Sequence, residues 1–222
     1  MGRSCAPVDT LGASSYEPVL VGPVDADPVV RRRVLDRGDL QRVTARLAHE
    51  IVDRAARDAH GPLALDPATL AIVGIRTGGA HLATRLATLI GGISGRPPPV
   101  GLLDITLYRD DVLLAGNPVP LLRGTEVSFD VSGRTIVLVD DVLYTGRTVR
   151  AALEALLELG RPACVRLAVL VDRGLRELPV AADFVGRSLE TRRDERVRVR
   201  LTETGADEDE VLVESRVDGR AV

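Results

Sequence analysis

One fifteen-residue stretch, residues 134–148, constrains the fold of this chain more than any other part of the sequence. Residues 136–139 are an unbroken run of Ile, Val and Leu, which is typical of a strand covered on both faces. Asp140 and Asp141 follow this run, and a helical pattern begins after Gly146. A buried strand that leads into a helix predicts an α/β fold, with its ligand site at the carboxyl ends of the strands.

The residues that follow this strand suit the binding of a sugar phosphate. Two adjacent carboxylates are costly to bury, so we expect Asp140 and Asp141 to lie in an open crevice and to hold ribose hydroxyls. The free N–H groups of a helix start, with the hydroxyls of Thr145 and Thr148, predict a cup for a phosphate. The alternative is a purely structural turn, in which Thr145 is an N-cap and the aspartates are solvated.

The segment VDDVLYTGRTVRAAL resembles the signature for phosphoribosyl pyrophosphate (PRPP) in type I phosphoribosyltransferases. More narrowly, it resembles the PyrR family, which are uracil phosphoribosyltransferases that also regulate pyrimidine genes by binding RNA. The resemblance covers about residues 33–214. It implies the type I phosphoribosyltransferase fold: a central, mainly parallel sheet flanked by helices, with a small hood and a C-terminal β-hairpin.

The resemblance also implies a reaction, in which uracil and PRPP give UMP and diphosphate. Asp140 and Asp141 would be catalytic residues that orient the ribose. Mg²⁺ would bridge oxygens of PRPP, and the two acids would hold the metal indirectly, through PRPP and water. The remaining nucleotide-binding residues of the signature would be Tyr144, Thr145, Gly146, Arg147 and Thr148.

A second strand–loop–helix pattern occurs earlier in the chain, where the apolar residues 70–75 precede a loop of small residues. On its own this pattern indicates an ordinary glycine-rich turn. The resemblance implies that this loop binds pyrophosphate. Relatives usually carry arginine at position 78, so either a neighbouring arginine supplies that charge or pyrophosphate is held less well. The loop consists of Arg76, Thr77, Gly78 and Gly79.

The segment that begins at Gly101 predicts a strand, with apolar residues alternating from Leu103 through Ile105 to Leu107, that continues into a long polar loop ending near Pro120. In the family this loop is a flap that closes over the sugar and excludes water from an oxocarbenium-like transition state. Arg109 would be a catalytic residue that neutralises pyrophosphate. The alternative is that Arg109 is a solvated turn residue.

Residues 164–171 predict another buried strand, and the segment after it resembles the hood that binds the base. Val171, Asp172 and Arg173 would contact uracil largely through backbone groups. Relatives usually carry histidine at 175 and arginine at 181, whereas this chain has Leu175 and Ala181. The first change removes a polar side chain near the base, and the second removes a cationic side chain from the proposed RNA face.

RNA binding is implied by the resemblance alone. From Asp39 to about Gly61, apolar residues recur at helical spacing, and this segment resembles the first helix of the family, where a histidine is implicated in RNA binding. The partner would be a stem-loop of a pyrimidine messenger RNA leader, with UMP or UTP as co-ligand. The candidate residues are Arg46, His49, Arg176 and Arg187.

The alternating residues 191–201 and the run 210–213 predict a C-terminal hairpin with one wet face. Arg196, Arg198 and Arg200 could belong to an RNA surface, but a solvated face is favoured. The net charge of −3 means that RNA binding would need a local basic patch.

All 29 basic residues are Arg, because the chain contains no Lys. This excludes Walker-type phosphate loops and lysine Schiff-base chemistry, including that of pyridoxal enzymes. Cys5 and Cys164 lie too far apart to predict a disulfide framework or a metal site. No apolar run reaches the length of a membrane span, so we expect a cytoplasmic protein with no membrane partner.

We predict three regions: a flexible extension at residues 1–32, a phosphoribosyltransferase domain at 33–214 and a tail at 215–222. The resemblance implies a homodimer or homotetramer. Two alternatives for function remain open. The chain could be a PRPP-binding regulator with weak or no transferase activity, or it could transfer the group to another base.

Overall fold

The structure is a computed structural model, and it describes residues 29–57, 69–76, 78–108 and 124–216. Two predicted site residues, Thr77 and Arg109, lie outside the described residues, as do the predicted flap after residue 108 and most of the predicted N-terminal extension. The described strands and helices are, in chain order, β1 (Val29–Leu35), α1 (Arg37–Arg57), β2 (Leu70–Ile75), α2 (Gly78–Ser94), β3 (Val100–Leu103), β4 (Thr135–Leu143), α3 (Arg147–Glu158), β5 (Cys164–Asp172), β6 (Phe184–Ser188), β7 (Arg196–Arg200) and β8 (Glu210–Arg216), with short 3₁₀ helices at Thr106–Tyr108 and Thr202–Thr204.

Five parallel strands form the central sheet in the order β3-β2-β4-β5-β6. Alternate residues of β4 enter two separate apolar clusters. Val137 and Val139 pack with α1 and α2, whereas Ile136 and Leu138 pack with α3. Because β4 is covered on both faces, it needs the continuous apolar run seen in the sequence. The predicted mainly parallel sheet flanked by helices is confirmed.

Glycines bring α2 and the loop before it close to the end of β4. A Cβ atom on Gly79 would lie 2.1 Å from the carbonyl oxygen of Val139, and one on Gly74 would lie 2.7 Å from the carbonyl oxygen of Gly79. Side chains at either position would push backbone apart. The absence of side chains therefore places the start of α2 directly beside the acidic end of β4.

A second, antiparallel sheet has the order β1-β8-β7. It contains the predicted hairpin and adds β1, which begins at Val29, so the domain boundary predicted at residue 32 falls inside a strand. Similarly, β8 runs to Arg216, past the boundary predicted at residue 214. The three consecutive arginines at 31–33 show no alternation of apolar and polar residues, so the sequence did not indicate a strand there. What defines β1 is its pairing with β8, far along the chain.

On the outer face of this second sheet, the negative charges of β8 are paired with positive charges. Two glutamates of β8 each lie between an arginine of β1 and an arginine of β7. The pairs are Glu214 with Arg31 and Arg198, at 3.0 and 2.6 Å, and Glu210 with Arg33 and Arg200, at 3.1 and 2.9 Å. This arrangement favours the solvated face over the RNA surface for β7.

Arg85 of α2 ties the second sheet to the domain. Its guanidinium contacts Glu203 at 2.5 Å and Asp209 at 2.7 Å. The hydrogen bonds to these carboxylates raise the pKa of Arg85, and the same bonds lower the pKa of Glu203 and of Asp209. The cluster therefore stays ionised and stabilises the attachment at neutral pH.

The strand predicted over residues 101–107 ends at Leu103. Oδ1 of Asp104 accepts hydrogen bonds from the N–H and the hydroxyl of Thr106, at 2.9 and 2.6 Å, and a 3₁₀ helix follows. Ile105 is buried, whereas Leu107 is 71% exposed. The local capture of the backbone by Asp104 competes with the strand and ends it early. No helix in the described ranges is long and apolar enough to span a bilayer.

Candidate phosphoribosyl site

The two aspartates lie within the last residues of β4, and they are less open than the sequence predicted. Asp140 is 5% exposed and Asp141 is partly buried. Oδ1 of Asp140 accepts a hydrogen bond from the N–H of Asp141 at 3.0 Å, and Oδ1 of Asp141 accepts one from the N–H of Val142 at 2.8 Å. These bonds offset part of the cost of burial. The expectation of an open crevice was therefore wrong for Asp140.

Burial also changes the acidity of the pair. It raises the pKa of the Asp141 carboxyl, and the hydrogen bond from the N–H of Val142 opposes that rise. A carboxylate held in this environment gains from a nearby positive charge, such as the cation that develops on a ribose during transfer.

The start of α2 meets this acidic pair. Gly78 is the first residue of α2, and a Cβ atom placed on it would lie 2.1 Å from Oδ2 of Asp141. The two strand–loop–helix units predicted from the sequence thus come together at the carboxyl edge of the sheet. Any side chain at 78 would require the Asp141 carboxylate to move. The glycine that replaces the relatives' usual arginine is therefore matched to the position of Asp141.

Arg76, the neighbouring arginine, is engaged by other groups. Its Nη2 donates to Oε1 of Glu126 at 2.6 Å, and its backbone N–H donates to the carbonyl of Leu103 at 2.9 Å. Among the described residues, its buried Nε finds no hydrogen-bond partner. In this conformation the charge of Arg76 is balanced by Glu126, a residue whose role no sequence spacing indicated.

The predicted phosphate cup forms at the start of α3. Gly146 precedes the helix with a φ of 94°, and no side chain caps the helix start. The hydroxyl of Thr145 accepts only a long hydrogen bond, 3.4 Å, from the N–H of Arg147. The alternative in which Thr145 is an ordinary N-cap is therefore wrong. A helix start that no side chain caps suits an anion, and the hydroxyl of Thr148 lies in the same turn.

The hood packs directly against this cup. The carbonyl of Thr145 accepts hydrogen bonds from the N–H groups of Glu177 and Leu178, both at 3.0 Å. Glu177 also contacts Arg147, with 2.8 Å between Oε2 and Nε. A Cβ atom on Gly146 would lie 3.3 Å from the Cβ atom of Leu178. The cup and the hood therefore form one packed unit, and Glu177 is a member that the sequence did not reveal.

Two of the predicted base-binding residues, Val171 and Asp172, end β5, and Arg173 follows it; their side chains lie in different surroundings. Val171 is buried in the core. Asp172 pairs with Arg176 at 2.6 Å. The buried guanidinium of Arg173 lies over the ring of Tyr144, 4.2 Å from its centroid. Contact with a base through the backbone of the hood stays a prediction.

Leu175 stands where relatives carry histidine, and it adopts a left-handed conformation with a φ of 58°. This conformation is unfavourable for leucine, whereas histidine and asparagine tolerate it better. The replacement therefore adds local strain as well as removing a polar group from the hood.

The four RNA candidates do not share one environment. Arg46 contacts Glu50 at 2.5 Å and the carbonyl of Gly186 at 2.5 Å, which joins α1 to β6. His49 on α1 and Arg187 on β6 are exposed. In contrast, Arg176 is turned inward and donates to the carbonyl of Tyr144 at 2.7 Å. The guanidinium of Arg176 therefore supports the phosphate loop, and a role in RNA binding stays a prediction.

A magnesium ion would depend on the substrate for most of its ligands. Among the described residues, no group of three or more His, Cys, Asp or Glu side chains could hold a metal ion. Asp140 and Asp141 still supply the carboxylate oxygens that a hard cation prefers. Their chemistry fits the indirect role predicted for them.

The sequence is similar to that of known phosphoribosyltransferases. The model of the phosphoribosyl transferase domain family matches residues 39–202. The chain is 52% identical to the bifunctional protein PyrR of Roseiflexus sp. over 184 residues, covering 82% of this chain and 94% of the relative. It is 49% identical to the protein of the same name from Pelotomaculum thermopropionicum over 185 residues, covering 83% and 97%.

Solved structures share the fold at low sequence identity. The hypoxanthine phosphoribosyltransferase of Trypanosoma cruzi aligns with a TM-score of 0.60 and 16% identity, covering 84% of this chain and 97% of that one. A hypoxanthine-guanine phosphoribosyltransferase from Leishmania tarentolae, in complex with GMP, aligns with a TM-score of 0.57 and 19% identity, covering 84% and 98%. These likenesses show the type I phosphoribosyltransferase fold.

Proposed function

The chain belongs to the PyrR family of phosphoribosyltransferases, and from this membership we propose that it transfers the phosphoribosyl group of PRPP to uracil, giving UMP and diphosphate. The observation that carries the proposal is the junction of Asp140 and Asp141 with the uncapped start of α3. One edge of the sheet thus offers carboxylates for ribose hydroxyls and N–H groups for a phosphate.

Each part of PRPP has a candidate partner along this edge. The 5-phosphate would lie on residues 145–148, at the start of α3. The ribose hydroxyls would contact Asp140 and Asp141, and the diphosphate would face the start of α2 at Gly78 and Gly79. The hood after β5 would hold the base. PRPP and the base would thereby be oriented before reaction, which is the main source of catalysis for such a transfer.

In the reaction, a uracil ring nitrogen forms a bond to the anomeric carbon as the bond from that carbon to diphosphate breaks. Diphosphate leaves with the bonding electrons, and the nitrogen loses its proton to the departing diphosphate or to water. The carboxylates stabilise the positive charge that develops on the sugar. Mg²⁺ would be held by PRPP oxygens and water, and only indirectly by Asp140 and Asp141, and it would supply charge that neutralises the leaving diphosphate.

Uracil is proposed from family membership, so the base needs a direct test. Labelled uracil, hypoxanthine or orotate is incubated with the protein, PRPP and Mg²⁺, and nucleotide is separated from base. We expect nucleotide from uracil alone. Nucleotide from a different base would identify a different acceptor, and PRPP binding without any transfer would identify a PRPP-binding regulator.

A second activity, uridine-nucleotide-dependent RNA binding, is favoured by the exposed Arg and His side chains where α1 meets β6. Arg46 bridges these elements, and His49 and Arg187 flank the contact. A mobility shift with the pyrimidine leader RNA of the same organism tests this activity, with UMP or UTP present. We expect Arg187→Ala to weaken binding and to reduce the salt dependence by about one counterion. Arg161→Ala, at an exposed position before β5, is the matched control.

A further inference from the structure

Among the residues that the structure describes, Arg173 is a buried cation with no carboxylate partner. It is 5% exposed, and it is the only arginine classed as buried among the residues that the structure describes. The buried acids Asp209 and Glu210 pair with arginines, but no carboxylate in the described chain lies within ion-pair distance of Arg173. Because burial of a charge is costly, its surroundings must compensate by other contacts.

Backbone carbonyls and a ring supply that compensation. Nη2 of Arg173 donates to the carbonyls of Arg192 and Glu195, at 2.8 and 2.9 Å. Nε donates to the hydroxyl of Thr191 at 3.0 Å, and the guanidinium lies over the ring of Tyr144, 4.2 Å from its centroid. One side chain thus joins the end of β5, the segment that leads to β7 and the loop of the phosphate cup.

Tyr144 is the point of connection to the substrate site. It lies between the acidic pair and Thr145, so its position sets where the first residues of the phosphate cup begin. A second arginine holds its backbone, because Nη1 of Arg176 donates to the carbonyl of Tyr144 at 2.7 Å. The ring is held by Arg173 and the carbonyl by Arg176. Both arginines belong to the hood.

We propose that Arg173 is a positioning residue that acts through Tyr144 to set the distance between the phosphate cup and the base-binding hood. Its guanidinium does not contact the base. It fixes the loop on which the 5-phosphate binds, relative to the backbone that binds the base. The inference rests on the proposed function for the identity of the ligand, PRPP.

A double-mutant cycle tests this connection. Arg173→Lys keeps the charge but loses the planar fork, and Tyr144→Leu removes the ring but keeps an apolar side chain. Each variant is expected to weaken PRPP binding about tenfold, which is the scale of a desolvated cation–π contact. The double variant is expected to be no weaker than either single variant, because both changes break one connection.

The controls separate positioning from a general loss of folding. Arg134→Lys breaks another arginine–ring contact, with Phe129, before β4 begins. It is expected to leave the Kd for PRPP and the KM for PRPP unchanged. If Arg173→Lys fails to fold, Tyr144→Leu alone carries the test. A merely structural role lowers the active fraction, and hence the apparent kcat, without raising the KM for PRPP.

The affinity is measured by calorimetry with PRPP, Mg²⁺ and no base, so the result does not depend on transfer. Additive losses in the double variant, or a Kd in Tyr144→Leu within about twofold of the wild type, would overturn the inference. A wild-type protein that binds PRPP but transfers no base contradicts only the proposed enzyme activity. A wild-type protein that binds no PRPP overturns both.

Discussion

The carboxylate of Asp141 lies over the Cα atom of Gly78, so closely that a Cβ atom on residue 78 would be 2.1 Å from Oδ2 of Asp141. This contact joins the end of β4 to the start of α2, and hence the proposed ribose-binding acids to the proposed pyrophosphate loop. It also bears on the arginine that relatives usually carry at position 78. A side chain at 78 and the present position of Asp141 exclude each other.

We predict that Gly78→Ala lowers kcat/KM for PRPP about tenfold or more, because the added methyl displaces the Asp141 carboxylate from the ribose site. The matched control is Gly92→Ala on the same helix, where a Cβ atom would meet nothing within 4 Å. That control should keep full activity and gain about 0.5 to 1 kcal/mol of stability. Equal activity of both variants would show that the contact at 78 is unimportant.

We predict that Asp141→Asn is inactive but more stable than the wild type at neutral pH, by on the order of 1 kcal/mol. Burial raises the pKa of Asp141 above its usual value of 3.8. The folded state then binds the proton more tightly than the unfolded chain, so the free energy of unfolding falls as pH rises through the raised pKa. Urea unfolding of the ligand-free proteins at several pH values measures this difference.

The difference in the free energy of unfolding between Asp141→Asn and the wild type should shrink as the pH is lowered toward about 3. That pH lies below the pKa of the Asp141 carboxyl in both the folded and the unfolded state. A difference that stays constant with pH would mean that charge burial at 141 is not its cause.

Gly146→Ala is expected to weaken PRPP binding about tenfold, because its Cβ atom would press on Leu178 and the left-handed φ of 94° is unfavourable for alanine. Gly133→Ala carries a similar backbone cost, with a φ of 71°, but its Cβ atom would meet nothing within 4 Å. Both variants should lose about 1 kcal/mol of stability. Calorimetry with PRPP should separate them, and equal PRPP affinities would argue against a phosphate cup at 145–148.

Arg85→Met is expected to destabilise the protein by about 2 kcal/mol at neutral pH, since it leaves the carboxylate of Asp209 buried without its cation. The expected loss of stability is smaller than for a fully buried ion pair, because Arg85 and Glu203 are partly exposed. Urea unfolding measures the change. Arg42→Ala, which removes an exposed pair with Asp39, should have no measurable effect.

The same cluster predicts a response to acid. Arg85 lowers the pKa of Asp209 in the folded protein below its usual value of 3.8. The stability that this pair contributes is present above that value and is lost as pH falls through the depressed pKa. The wild type should therefore lose more stability on acidification than Arg85→Met. Parallel acid profiles would contradict this role for Arg85.

The sequence predicted the elements whose evidence is local. The apolar run at 136–139 predicted a strand covered on both faces, and the stripe from Leu40 predicted α1, because each follows the period of its own element. In contrast, β1 depends on pairing with β8, almost the whole domain away, and its run of arginines has no informative period. Long-range pairing of this kind leaves little trace in a single sequence.

The site shows the same division. The acids and the phosphate cup occur within ten residues and were predicted together. Glu126 and Glu177 were missed, because each reaches its arginine only through the fold, as the contact of Glu126 with Arg76 illustrates. Arg176 was predicted to face RNA because its chain position matched the family, yet its hydrogen bonds point inward. Chain position identifies a residue, but burial and contacts decide what its side chain can do.

The most direct test of the central claim is product formation from uracil, PRPP and Mg²⁺, followed by phosphorus NMR. We predict that the wild type converts PRPP into equal amounts of UMP and diphosphate. The variant with both Asp140→Asn and Asp141→Asn should remain folded and form neither product. Unchanged turnover by that variant, or no nucleotide from the wild type with any base, would contradict the account.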